Sequence, residues 1–217
     1  MCQIENIQEK NPVVFIKAIE NEYFEKFMEG EIYMNTFSFF RKQENGDKTE
    51  GMLSYFTNSV AEIKTDSKTI NAPFKNISLN QSFGNILCLY SVYNEKDEIS
   101  ENYLKVFEKR KMCVISPRPF LSRLVDKLNE KGYNILCGKV EYFNEDESQF
   151  SFLPPFRKQN KYSYENEYRI LAYNTEDKPI EISIGSIKDI AFEVDFNSFP
   201  DNSSLNINFE TKQINFY

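Results

Sequence analysis

The 217-residue sequence contains no histidine. That absence removes Ser-His-Asp hydrolysis, Cys-His proteolysis, histidine phosphotransfer and HExxH metal chemistry, leaving Glu, Asp, Lys, Tyr, Ser and Cys for any catalysis. Cysteine is sparse as well: Cys2, Cys88, Cys113 and Cys137 stand far apart with no CxxC pair. A structural zinc site, built from Cys and His at short spacing, is not expected. Basic charge is in deficit, with 26 Lys and Arg against 33 Asp and Glu and a net charge of -7. Such a chain has no general electrostatic grip on nucleic acid or on an anionic membrane. No apolar run approaches the roughly 20 residues that span a bilayer. Met1 leads into the polar "CQIENIQEKN" rather than an apolar signal region, so a cytoplasmic protein with reduced thiols is expected. Neither GxGxxG nor GxxxxGK[ST] occurs, which argues against Rossmann and P-loop nucleotide binding. There is no internal repeat, low-complexity tract or linker.

What is present is apolar and aromatic. Hydrophobic residues make up 41% of the chain, with 20 Phe and 13 Tyr, enough burial to offset the ordering entropy of one domain spanning residues 1–217. "PVVFIKAIE" reads as a strand, and Tyr23, Phe24, Phe27 and Met28 then recur at helical spacing, with Asn21 as cap and Gly30 as stop. "IYMNTFSFF" reads as a strand through Phe40, followed by the polar loop "RKQENGDKTEG". A hairpin turning near Asp66 and Ser67 comes next, then "NILCLYSVYN", a continuous apolar run suited to a central strand. "ENYLKVFEKRK" is a short helix and "MCVISP" a strand. Phe120, Leu121, Leu124 and Leu128 form the inner face of a helix that stops at Gly132. "NILCGKVEYF", "NEYRILAYN", "PIEISIGSIKDIAFEVDF" and "NSSLNINFETKQINFY" supply the remaining strands. The fold expected is α+β, with a split or strongly twisted, mostly antiparallel sheet and about three helices.

The most patterned stretch is "KYSYENEYRI". In a strand beginning near Asn166, alternation puts Glu165, Glu167, Arg169 and Leu171 on one side and Asn166, Tyr168, Ile170 and Ala172 on the other. As a solvated strand face this is unremarkable, each ion pair contributing at most about 1 kcal/mol. The approach "PPFRKQNKYSY" nevertheless crowds aromatics with Arg157, Lys158 and Lys161, the mixture of apolar wall and few polar groups that ligand pockets use. Elsewhere, Asn35, Thr36 and Arg41 are candidates to contact a phosphate or ribose. Glu44, Asp47 and Glu50 are candidates for a cation or a basic partner, against the alternative of a solvated loop and a plain strand end. Cys88, Cys113 and Cys137 lie in apolar strands, where a thiol is usually a small hydrophobe.

The pieces "FIKAIE", "ILCLYSVYN", "FRKQNKYSYENEYRI" and "ISIGSIKDI" resemble, in order, an uncharacterised bacterial family with a lysine-bearing first strand, a cysteine-and-serine strand near the middle and a late Y-x-x-E-x-E-Y/W-R-I element. The layout is similar to the ADP-ribosyltransferase fold, found in some bacterial toxin and anti-phage defence proteins. The resemblance implies an NAD-using transferase acting on a macromolecular acceptor, with an antitoxin or partner protein as a natural companion. It implies Glu167 as the catalytic carboxylate, with Glu165 and Ser91 beside it, and Lys17, Tyr164 and Arg169 in NAD contact. Lys17 stands where that fold uses Arg or His. Two other readings stay open: a non-catalytic module recognising a nucleotide, nucleic acid or protein through the same cleft, and a metal nuclease using Glu165, Glu167 and Asp189.

Overall fold

The computed structural model describes residues 11–43, 47–48, 50–55, 60–64, 69–73, 77–94, 97, 99–144, 154–195, 205–208, 210–211 and 213–216. Cys2, Glu44 and the turn at Asp66 and Ser67 lie outside them. In chain order the elements are β1 (Val14–Ile19), α1 (Phe24–Met28), β2 (Glu31–Thr36), α2 (Phe37–Lys42), β3 (Met52–Tyr55), β4 (Val60–Lys64), β5 (Thr69–Pro73), β6 (Ile77–Gln81), β7 (Asn85–Val92) and α3 (Glu101–Val106). They continue with β8 (Lys111–Ile115), α4 (Pro117–Glu130), β9 (Asn134–Lys139), β10 (Glu141–Phe143), β11 (Arg157–Gln159), β12 (Glu167–Tyr173), β13 (Ile180–Ser183), β14 (Ala191–Val194), β15 (Leu205–Asn208) and β16 (Gln213–Phe216). Short 3-10 turns cover Asn21–Tyr23, Pro154–Phe156 and Asn160–Glu165.

The expected α+β class with a mostly antiparallel sheet is what the chain forms. An eight-stranded sheet runs β13-β2-β7-β1-β8-β14, with β12 added between β7 and β9. Among the described residues the parallel pair is the small β10–β11 ladder. The sheet divides along one edge of β7. Its Tyr90, Ser91 and Val92 pair with β1, while Asn85 and Ile86 pair with β2. Between those two contacts β1 and β2 part, and Lys17 Nζ donates to the Cys88 carbonyl at 2.8 Å in the gap.

Alternation along the strands feeds both faces. Phe15 and Ile19 of β1 join Leu87, Leu89, Ile170 and Ala172 beneath α1 and α4, which contribute Phe24, Phe27, Met28, Phe120, Leu124 and Leu128. The i, i+4, i+8 spacing of Phe120, Leu124 and Leu128 is one helical stripe, and Pro117 in the first turn loses no hydrogen bond. On the opposite face, Val14, Ile16, Tyr90 and Val92 pack with Tyr103 of α3. Ile86 and Leu171 pack there with Phe37 of α2 and with Phe156.

Two local expectations are corrected. The strand through Phe40 ends at Thr36, because the Thr36 hydroxyl accepts from the Phe39 amide at 3.2 Å and starts α2. With α2 there are four α-helices among the described residues, in keeping with the expected α+β class. Asn21 makes no side-chain cap, and Tyr23 is exposed ahead of α1. The stop at Gly30 is as expected: its φ is +85°, and a Cβ there would meet the Gly185 carbonyl oxygen at 1.9 Å.

Candidate functional site

The late motif does not lie on one continuous strand. Residues Asn160–Glu165 form a 3-10 turn closed by Asn166 in the left-handed region at φ 34°, and β12 begins at Glu167. Asn166 tolerates that conformation where most residues resist it. It is clamped from across the sheet: Ser91 donates to the Asn166 carbonyl from its amide at 2.9 Å and its hydroxyl at 2.8 Å. The Asn166 side-chain amide returns a bond to the Ser91 carbonyl at 2.6 Å.

β12 pairs Glu167 with Tyr90, Arg169 with Cys88 and Leu171 with Ile86, so these side chains share a face. On that face Arg169 is fully buried. Its Nε reaches Glu167 Oε1 at 3.1 Å and its Nη2 reaches Oε2 at 2.9 Å, a two-point grip set by the fork geometry of guanidinium. Its Nη1 donates to the Pro155 carbonyl and lies 2.7 Å from Glu50 Oε1, a charge contact whose angles do not make a hydrogen bond. Lys158 of β11 is the second hub. Its Nζ lies 2.6 Å from Glu165, 3.4 Å from Glu167 and 3.8 Å from Glu50, with the Tyr162 ring 5.0 Å away. Three carboxylates and two cations thus form one network on the wall of a cleft of about 860 Å³.

The carboxylates are driven apart in ionisation. Burial pushes the Glu167 carboxyl up, but Arg169 and Lys158 overcome it and hold it well below the ordinary range. At Glu165 burial outweighs Lys158 and raises the carboxyl, with Glu167 adding to the rise. Burial likewise raises Glu50 against the pull of Arg169 and Lys158. Lys158 is held protonated despite its burial because Glu167, Glu165 and Glu50 all face it. Glu165 is the more open of the strand-side pair, its side chain 19% exposed against 4% for Glu167. Tyr90, Tyr103, Phe107, Tyr162 and Tyr164 supply the aromatic wall, with Lys17 and Arg110 as further basic side chains.

Of the residues expected at a site, Lys17, Tyr164, Glu165 and Glu167 come together around this cleft, with Arg169 packed behind Glu167. Four do not. Ser91 points away from Glu167, since its neighbour Tyr90 is the one opposite, and its hydroxyl is spent on Asn166. Thr36 caps α2, and Asn35 sits in the β2–β7 ladder. Arg41 donates to the Glu50 backbone carbonyl at 2.7 Å, fixing the chain at Glu50 from outside the cleft lining. Asp189 is bound to Arg123 through both oxygens, away from Glu165 and Glu167. Among the described residues, no cluster of three or more His, Cys, Asp or Glu has the arrangement to hold a metal ion. Burial raises the Cys88 thiol and pushes Cys113 up to about 12, which disfavours the reactive thiolate at both. The two hubs, Lys158 and Glu50, were named in the sequence, one in the basic approach and the other as a candidate for a basic partner, but nothing joined them to each other or to Glu167. Their signal was present only as part of two charged segments distant in sequence.

No model of a known protein family matches the chain, and a search of curated proteins and of solved structures finds no match. The fold and the site therefore stand on their own geometry.

Proposed function

We propose that the cleft binds a nucleotide carrying a glycosidic bond, with NAD the first candidate, and that the protein is an ADP-ribosyltransferase-like enzyme acting on a macromolecular acceptor. The observation that carries this reading is a pair of neighbouring carboxylates, Glu165 and Glu167, whose ionisation is driven in opposite directions within one aromatic cleft. Such divergence is how two carboxylates divide acid–base and electrostatic roles.

The fit to NAD is reasonable in size and chemistry. The volume of about 860 Å³ lies within the usual range for small-ligand sites, roughly 300–1,000 Å³. Tyr162 and Tyr164 offer aromatic surface for a flat ring, and Arg110 a positive charge for phosphate. Cleaving a nicotinamide–ribose bond makes the sugar carbon positive as the ring leaves. Glu167, held ionised by Arg169, supplies a fixed negative charge for that moment. Glu165, anchored by one contact to Lys158 and partly open, accepts the proton of the incoming nucleophile. A cytoplasmic, reducing setting belongs to the same proposal. Among the described residues no helix is long and apolar enough to cross a membrane.

The test is nicotinamide release from NAD by the purified chain, followed by chromatography, for wild type, Glu165→Gln and Glu167→Gln. Wild type releases nicotinamide, and Glu165→Gln lowers the rate by about 100-fold or more. A folded wild-type protein that neither releases nicotinamide nor binds NAD in calorimetry would defeat the enzyme reading. One observation favours a second reading, a binding module without chemistry: both oxygens of Glu167 are already engaged by Arg169. In that case NAD gives no turnover, and Glu167→Gln changes stability alone.

A further inference from the structure

One basic group on the cleft wall takes no part in the carboxylate network. Lys17 Nζ donates to the Cys88 carbonyl at 2.8 Å and, among the described residues, meets no carboxylate at ion-pair distance. Three of the carboxylates that share its cleft are already held: Glu165 and Glu167 by Lys158, Glu167 and Glu50 by Arg169. Ala18, Leu89, Tyr90, Tyr103 and Phe107 line the same cleft, with Glu165, Glu167 and Arg110 as its charged neighbours. Lys17 is half-buried, and of the three N–H donors a protonated amine carries the protein accepts one. A neutral amine suits the same geometry better, giving one hydrogen to Cys88 and keeping a lone pair for the cleft. Burial does lower the Lys17 ammonium from its ordinary value, with Cys88 and Glu167 only partly opposing it.

We propose that Lys17 is an imine-forming amine that captures a small anionic aldehyde or ketone entering the cleft. The nitrogen lone pair adds to the carbonyl carbon. The carbonyl oxygen then takes both amine hydrogens and leaves as water, and a C=N bond remains with no change of oxidation level. Lysines with a depressed ammonium are the ones that carry this chemistry. The preference for an anion rests on Arg110, which lines the cleft, stacks 5.1 Å from the Phe107 ring and is otherwise paired with Glu20 at 2.6 Å. Displacing Glu20 gives the carbonyl compound's phosphate or carboxylate a partner. This inference goes beyond the glycosidic reading and needs no NAD.

The test treats the intact protein with pyridoxal 5′-phosphate and sodium cyanoborohydride at pH 6.5, then maps the reduced adducts by peptide mass spectrometry. Exposed lysines are almost wholly protonated at that pH, so Lys17 is expected to label at least about tenfold faster than their mean. The same chain unfolded in urea loses that preference, a comparison that needs no variant. K17R removes the adduct, and R110Q slows Lys17 labelling by pyridoxal 5′-phosphate but not by pyridoxal. Even labelling of all lysines in the folded protein overturns the proposal. So does a K17R variant, folded by circular dichroism, that takes up as much label as wild type. Equal sensitivity of both probes to R110Q removes the anionic part.

Discussion

Replacing Arg169 by Met tests whether the buried network is held as described. Arg169 is fully buried and contacts Glu167 through two nitrogens at 3.1 and 2.9 Å, and Glu50 at 2.7 Å. Methionine keeps much of the volume and removes the charge, leaving both carboxylates facing Lys158 alone, at 3.4 and 3.8 Å. Removing one partner of a buried ion pair costs about 3–5 kcal/mol. Because Lys158 still faces both carboxylates, the lower end applies, about 3 kcal/mol. For a chain of this length a urea m-value of about 3 kcal/mol/M turns that loss into a midpoint about 1 M lower. The assay is urea unfolding by circular dichroism, read as a midpoint shift at constant slope. The double variant Arg169→Met, Glu167→Leu should recover part of the loss, since it no longer leaves Glu167 unpaired. A midpoint within about 0.3 M of wild type for Arg169→Met would refute the account, because a fully buried guanidinium in four contacts cannot be idle.

The carboxylates also set a pH signature. Glu50 and Glu165 have folded values above 4.5, so the folded state binds the extra protons and stability falls as pH rises through that window. Glu167 lies below 4.5 and works the other way, its contribution complete above 4.5 and lost as pH falls through its folded value. Urea midpoints at pH 5 and 7 should therefore differ less in Glu165→Gln than in wild type. Ser91→Ala should cost about 1 kcal/mol, the value of one hydrogen bond, and leave nicotinamide release within about twofold, checked by urea midpoint and chromatography. Gly30→Ala forces a side chain against the Gly185 carbonyl at a positive φ and should destabilise by well over about 1 kcal/mol, read as a lowered thermal midpoint.

Much of the scaffold was legible because its signals are local. The Phe120, Leu124, Leu128 stripe, the apolar run of β7 and the Gly30 stop each act within a few residues, and each forms what its pattern implies. α2 was not legible. Phe37, Phe39 and Phe40 have the aromatic character of a strand, and what turns them into a helix is one hydroxyl bond from Thr36 together with Phe37 packing on Ile86 and Leu171. A split sheet was among the expectations, but the place where it divides was not legible, for a related reason. It depends on which residues of β7 meet β1 and which meet β2, a matter of long-range register.

The site shows where alternation misleads even when its conclusion is close to right. Glu165, Glu167 and Arg169 were expected on one face of one strand, but the left-handed Asn166 ends the 3-10 turn between the two glutamates. Strand periodicity therefore places Arg169 against Glu167 and says nothing of Glu165. What returns Glu165 to its partner is Lys158, seven residues upstream, bridging the carboxylates at 2.6 and 3.4 Å. The shared cation also gives the pair its asymmetry. Glu167 has Lys158 and both arms of Arg169, whereas Glu165 has Lys158 alone and part of its surface in the cleft. The more deeply buried carboxylate is thus the more strongly ionised, the reverse of what burial alone would produce. The group free to exchange a proton is the turn residue rather than the strand residue. Glu167→Gln slows the reaction by removing a charge, so the two roles separate in the pH–rate profile: an acid-side fall in rate that disappears in Glu165→Gln and survives in Glu167→Gln would place the proton transfer at the turn. The opposite outcome would return the proton transfer to the strand glutamate and leave the ionisation asymmetry as a property of stability alone.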